Sequence, residues 1–188
     1  MRVLIAEDET LIRLDLKAML ERAGLDVCAE ARDGAEALDL SRSELPDLAI
    51  LDVKMPSLDG IEAARRMLDE RPIPIVIVSA FTERTLVTRA AEAGVFGYLS
   101  KPFREDDLLP AIATAQARFE ELTAVRDQVD SLADALASRK AIERAKGILM
   151  DKQALTEDAA FARLRKASQV SGRPMRVIAE AVIDTMSA

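Results

Sequence analysis

The 188-residue chain contains no histidine, a single cysteine and a single tyrosine, and aromatic residues make up only 3% of it. Without histidine there is no His-based acid–base catalysis, no His-ligated zinc and no phosphohistidine transfer on this chain. Cys28 has no partner for an intramolecular disulfide and reads as a small apolar side chain. No apolar run approaches the roughly 20 residues that a membrane-spanning helix needs. The start, Met1-Arg2-Val3-Leu4-Ile5, runs straight into acidic residues, unlike a signal peptide. The expectation from these absences is a cytoplasmic protein with no membrane partner.

What is present is apolar material for a core, 49% of the residues, and an uneven distribution of charge. The length suits one domain with a good core or two small ones. The net charge is −7, yet residues 139–188 hold ten Lys/Arg against six Asp/Glu, a local balance of +4 that leaves −11 on the remainder. An acidic front and a basic tail suggest two modules with different partners, the tail suited to polyanions.

Short apolar runs alternate with helical patterns along the front. Strands are expected at Val3–Ala6, Val27–Ala31, Leu48–Asp52, Ile75–Ser79 and Val95–Leu99. Between them, Leu11, Leu14, Ala18 and Met19 recur at helical spacing, Ala37, Leu38 and Leu40 mark a second helix, and Leu58 to Arg71 a third. A fourth helix is expected from a Thr82 cap to Ala93, and a fifth from near Arg104. Alternation with short connections predicts an α/β fold, a five-stranded parallel doubly wound sheet with helices on both faces.

Right-handed crossovers place all five strand ends on one edge, where such sheets bind ligands. That edge collects Glu7, Asp8, Asp52, Ser79 and Lys101. Asp52 alone is ambiguous, because Asp at a strand-to-helix turn often caps the helix. The set is not. Three clustered carboxylates repel one another unless a cation intervenes, and hard oxygen ligands suit magnesium. The expected ligands are Asp8, Asp52 and a backbone carbonyl from the loop after it, at Lys54, with Glu7 acting through water. Asp52 is also a candidate nucleophile forming an aspartyl phosphate, whose oxygens Mg2+, the Lys101 ammonium and the Ser79 hydroxyl would balance. The Lys101-Pro102 peptide is expected to be cis.

Residues 1–118 resemble a response-regulator receiver domain, of flavodoxin-like fold. The motifs are Leu4-Ile5-Ala6-Glu7-Asp8-Glu9, Asp33-Gly34-Ala35-Glu36-Ala37, Asp52-Val53-Lys54-Met55-Pro56 with Asp59-Gly60, Val78-Ser79-Ala80, and Gly97-Tyr98-Leu99-Ser100-Lys101-Pro102. The resemblance implies phosphotransfer from a sensor histidine kinase to Asp52, and a switch in which Ser79 moves toward the phosphoryl group while Tyr98 rotates inward. Glu7 and Ser79 depart from the usual aspartate and threonine without changing the chemistry. Phe81, two residues after Ser79, is expected to hinder the hydrolytic water.

Beyond Pro110 the reading is all helical. Leu122, Val125, Val129, Leu132 and Leu136 follow a 3,4,3,4 spacing, so residues 119–138 form either a coiled coil between chains or an amphipathic helix folded on one of the chain's own domains. Helices are then expected at 139–152, 156–170 and 174–187. Residues 139–188 resemble an ANTAR domain, a three-helix RNA-binding module of transcription antiterminators. This match rests on Ile142-Glu143-Arg144-Ala145-Lys146-Gly147-Ile148-Leu149-Met150, on Glu157-Asp158-Ala159-Ala160-Phe161-Ala162-Arg163-Leu164-Arg165, on Ala167, and on Val177-Ile178-Ala179-Glu180. Ile142, Ala145, Leu149, Phe161 and Leu164 are expected in the core, and Gly147 at a close packing contact. Arg139, Lys140, Arg144, Lys146, Arg165, Arg173 and Arg176 are the candidates for holding RNA.

The function expected is a non-enzymatic regulator whose phosphorylation favours a homodimer that grips RNA hairpins in a nascent transcript and prevents termination. A DNA-binding output or a protein-interaction output is the alternative.

Overall fold

The apolar runs of the front become five strands, Arg2–Ala6 (β1), Asp26–Ala31 (β2), Leu48–Asp52 (β3), Ile75–Ser79 (β4) and Gly97–Ser100 (β5). The computed structural model describes residues 1–80 and 84–186, with the backbone alone for 84–87. The strands form one parallel sheet in the order β2-β1-β3-β4-β5, the doubly wound arrangement expected. Register pairs Ala6 with Leu51, Asp52 with Val78, and Ser79 with Ser100, so the C-terminal ends of β1, β3, β4 and β5 lie side by side. The helices are Thr10–Arg22 (α1), Gly34–Glu44 (α2), Gly60–Glu70 (α3), Arg84–Glu92 (α4), Glu105–Gln153 (α5), Glu157–Ser171 (α6) and Met175–Met186 (α7). The chain divides into two compact units, Met1–Thr123 and Ala124–Ala188.

In the first unit strand alternation sorts the core into two layers. Leu4, Ala49, Leu51, Ile75 and Ile77 pack with Ala37 and Leu38 of α2 and Ile61, Ala64 and Met67 of α3. Val3, Ile5, Leu48, Ile50, Val76 and Val78 pack with Leu16 and Leu20 of α1 and with Leu108, Ile112 and Ala115 of α5. On α1 the buried stripe is Arg13, Leu16 and Leu20, whereas Leu11 is 82% and Leu14 53% exposed. The pair expected from Leu11 and Leu14 therefore faces outward. β5 starts two residues later than expected, at Gly97, where an added Cβ would lie 3.1 Å from Val76 and 3.2 Å from Ala115. The Thr82 cap lies outside the described residues.

The larger departure is α5. Where three pieces are expected, one helix runs from Glu105 to Gln153 and takes Pro110 within it. Nothing between 111 and 153 is a strong helix breaker. Gly147 alone costs about 1 kcal/mol against alanine. Early in α5 the Phe119 ring packs edge-on against Phe96, centroids 5.3 Å apart. Leu122, Val125, Val129, Leu132 and Leu136 are 39–65% exposed, so this face of α5 is open to solvent.

The second unit has a small core of Ala145, Leu149, Ala160, Leu164 and Ala179, flanked by half-buried Ile142, Ile178 and Val182. Thr156 caps α6 by accepting from the Ala159 amide, and Gly172 ends it with φ +66°. Two core expectations fail here. Phe161 is 41% exposed, one position past the buried Ala160 on the helix. A Cβ added at Gly147 would meet nothing within 4 Å, so that glycine marks an open face rather than a close contact.

Candidate functional site

The acidic edge is built by three strand ends. β1 delivers Glu7 and Asp8, and the Glu7 backbone is pinned twice: its amide donates to the Ala31 carbonyl at 3.1 Å and its carbonyl accepts from Arg13 Nη1 at 2.7 Å. β3 ends in Asp52, whose register is continued by the Val53 amide donating to the Val78 carbonyl. β4 ends in Ser79, whose carbonyl accepts from the Lys101 amide at 2.8 Å. The Lys101-Pro102 peptide is cis. Lys101 Nζ lies 2.6 Å from Glu7 Oε2 and 3.2 Å from Asp52 Oδ2. Asp8, Glu9, Asp52, Lys54, Ser79, Ala80 and Lys101 line a cavity of about 270 Å³.

Oxygens of Glu7, Asp8 and Asp52 all fall within 4.8 Å of one another. Glu7, Asp52 and Ser79 are buried, while Asp8 is exposed at the mouth. Burial pushes the Asp52 carboxyl above its usual pKa against the pull of Lys101. The Glu7 carboxyl is raised too, first by burial and then by the charge of Asp52, with the Lys101 hydrogen bond opposing. Burial disfavours the Lys101 charge, but the Glu7 hydrogen bond and the Asp52 charge outweigh it and leave its pKa raised. Three carboxylates facing one ammonium leave an excess of negative charge on hard oxygen donors. That donor set fits a divalent cation such as Mg2+.

Two residues outside the expected set shape the site. Arg13 anchors the acidic loop, and its signal in the sequence is an arginine on the buried stripe of α1. At Gly60 an added Cβ would lie 1.9 Å from the Asp52 carbonyl oxygen. Asp59, beside it, caps α3 by accepting from the Glu62 amide at 2.8 Å. Tyr98 is half-buried against the layer under α2 and α3. Phe81 lies outside the described residues.

Residues 3–113 match the family model of the response regulator receiver domain, and residues 130–183 match that of the ANTAR domain. The transcriptional regulatory protein PdtaR of Mycobacterium tuberculosis is 48% identical over 185 residues, 98% of this chain and 90% of that protein. This chain is a response regulator. Its output is an ANTAR domain, and no described helix is long and apolar enough to cross a membrane. Within the receiver, the regulator is also similar to the chemotaxis protein CheY of Bacillus subtilis, 35% identical over 59% of this chain and 93% of that one. Among solved structures, a receiver domain from Clostridium thermocellum superimposes with a TM-score of 0.59 at 30% identity, covering 64% of the regulator and 98% of that domain.

The tail candidates separate into two groups. Lys146 is buried, with its Nζ 2.6 Å from Glu157 and 3.0 Å from Glu143. Arg176 pairs with Asp134 at 3.2 Å and with Glu180 at 2.8 Å. Arg139, Lys140, Arg144, Arg165 and Arg173 are exposed and make no side-chain ion pair among the described residues.

Proposed function

We propose that this response regulator is switched by phosphorylation of Asp52 and that its ANTAR unit then binds RNA hairpins to prevent transcription termination. The observation that carries the reading is the buried Asp52 carboxylate with Lys101 at 3.2 Å and two further carboxylates at hand. A phosphohistidine of a sensor kinase is the donor. An Asp52 oxygen attacks phosphorus, the N–P bond breaks, the imidazole leaves with the bond's electron pair, and an acyl phosphate remains on Asp52. Lys101 Nζ and the Ser79 hydroxyl take up oxygens of the transferred group, and Glu7 holds Lys101 over the site. Asp8, Asp52 and the Lys54 carbonyl are the residues to hold Mg2+, with Glu7 reaching it through water. The metal supplies charge neutralisation for the entering phosphoryl group.

The switch proceeds through Ser79, at the end of β4 beside β3, and Tyr98, on the next strand, β5. The exposed seam supports association of two chains, Leu122, Val129 and Leu136 at a positions and Val125 and Leu132 at d. In this reading the receiver is 1–118, the linker 119–138 and the RNA-binding unit 139–188. Arg139, Lys140, Arg144, Arg165 and Arg173 make the phosphate contacts, while Lys146 and Arg176 hold the unit together.

The deciding experiment is incubation with Mg2+ and acetyl phosphate, read by mass spectrometry and by hairpin binding. One phosphoryl adduct, absent from Asp52→Asn, with tighter RNA binding in the wild type alone, is the expected result. No adduct on Asp52 overturns the switch, and equal binding to hairpin RNA and duplex DNA overturns the output.

A further inference from the structure

A surface aromatic on a basic helix is unusual enough to need a reason. Phe161 is the sole aromatic residue between 124 and 188 and is 41% exposed, while Ala160 and Leu164 on either side of it are buried at 0% and 1%. Its neighbours one turn away on α6 are Glu157, Asp158, Leu164 and Arg165, of which only Leu164 is apolar. The ring therefore covers little of its own helix and presents a face to solvent.

Its electrostatic setting is acidic one turn upstream, at Glu157 and Asp158, and basic downstream. From Ala159 to Ala179 the chain carries Arg163, Arg165, Lys166, Arg173 and Arg176 and no acidic residue. Upstream, Glu157 is already engaged by the buried Lys146. Arg165 lies one turn, about 6 Å, along the helix from Phe161 and makes no ion pair among the described residues. An aromatic face with a free guanidinium one turn away suits an unpaired base with its phosphate, since bases stack on aromatics and guanidinium forks bind phosphate. A protein partner would be met by apolar neighbours around the ring, and here all five of the nearest charges downstream are cationic, with Arg176 alone engaged by carboxylates.

We infer that Phe161 is a stacking platform for an unpaired nucleobase of the bound RNA and that Arg165 holds the adjoining phosphate. The inference rests on the RNA-binding reading above and adds to it a residue that reads the loop rather than the stem.

The absence of tryptophan supplies the test, because Phe161→Trp places the sole tryptophan of the chain at this spot. Full-length protein is titrated with an RNA hairpin carrying unpaired adenosines in its loop, and with a blunt RNA duplex of the stem sequence. Phe161→Trp should bind the hairpin as the wild type does, with its fluorescence quenched by the hairpin and not by the duplex. Phe161→Leu should bind the hairpin about ten-fold more weakly, with duplex binding and the salt dependence unchanged. Circular dichroism confirms that both variants keep their helices. Wild-type affinity in Phe161→Leu, or an unquenched Phe161→Trp that binds the hairpin, overturns the inference and leaves RNA binding standing. Loss of self-association in Phe161→Leu with RNA affinity intact also overturns it, assigning the ring to a protein contact. No binding of either RNA by the wild type overturns both readings.

Discussion

At Gly60 the chain tolerates no side chain, because the start of α3 is pressed against the carbonyl of the residue that defines the site. Gly60→Ala forces the helix away from β3 and should cost about 1–3 kcal/mol, the usual penalty for overpacking. Thermal unfolding of the purified variant checks this, and an unchanged melting temperature refutes the contact. Asp52 yields a second prediction. Its folded carboxyl holds its proton more tightly than the unfolded chain does, so stability is lost as pH rises above the ordinary value of 3.8. Glu7, raised from 4.5, acts in the same direction. Asp52→Asn removes one of these charges, and its melting temperature without metal should therefore gain on the wild type as pH climbs from 4 to 7. Millimolar Mg2+ should stabilise the wild type and close that gap, since a ligand bound only by the folded state raises its stability. A gap that is flat with pH, or indifferent to Mg2+, removes the carboxylate cluster as the cause.

Among the elements, legibility follows the strength of the local signal. β3 and β4 were readable because runs such as Ile75-Val76-Ile77-Val78 are apolar on both faces, and the site was readable because each of its members ends a strand or flanks one. α5 was not, because helix continuation through Pro110 and Gly147 depends on the absence of a stop, which periodicity does not report. The α1 stripe misled because Leu11 and Leu14 share a helical spacing with the buried set yet point outward, and Arg13 occupies the core position. On α6 apolar character suggests burial, but Phe161 stands one position off the stripe of Ala160 and Leu164. Charge type alone also could not separate the cations of the tail. Lys146 ties α5 to α6 through Glu157, whose carboxyl the Lys146 hydrogen bond holds below its usual pKa. That pair stabilises the fold above the ordinary carboxylate value of 4.5 and is lost as pH falls through the depressed one. Lys146→Met should remove this acid-side loss yet leave the salt slope of hairpin binding intact, whereas Arg144→Ala should lower the slope by about one. A slope that drops in Lys146→Met would return that lysine to the phosphate contacts.

For the whole molecule, the proposed switch requires that a phosphoryl group on the acidic unit alter the basic one. The seam from Leu122 to Leu136 is solvent-exposed throughout, and its length of two to three heptads falls short of the three to four that sustain a coiled coil unaided. In a parallel pair, Glu121 at a g position would face Arg126 at the following e position of the second chain, an attractive contact on both sides of the seam. The central heptad has Val129 at a and Leu132 at d, the combination that favours two strands. A seam this short associates weakly by itself, so any further contact made by phosphorylated receivers would decide the equilibrium. Two ANTAR units joined in this way would bind two hairpins on one transcript with a gain from effective concentration that neither unit has alone. Sedimentation should then show mainly single chains without phosphodonor and dimers with it. Leu132→Glu, which sets two carboxylates against each other in the seam, should sediment as a single chain in both conditions. It should also take up phosphate normally and lose the advantage for paired hairpins while keeping wild-type affinity for a single one. Dimers persisting in Leu132→Glu would move the interface away from α5.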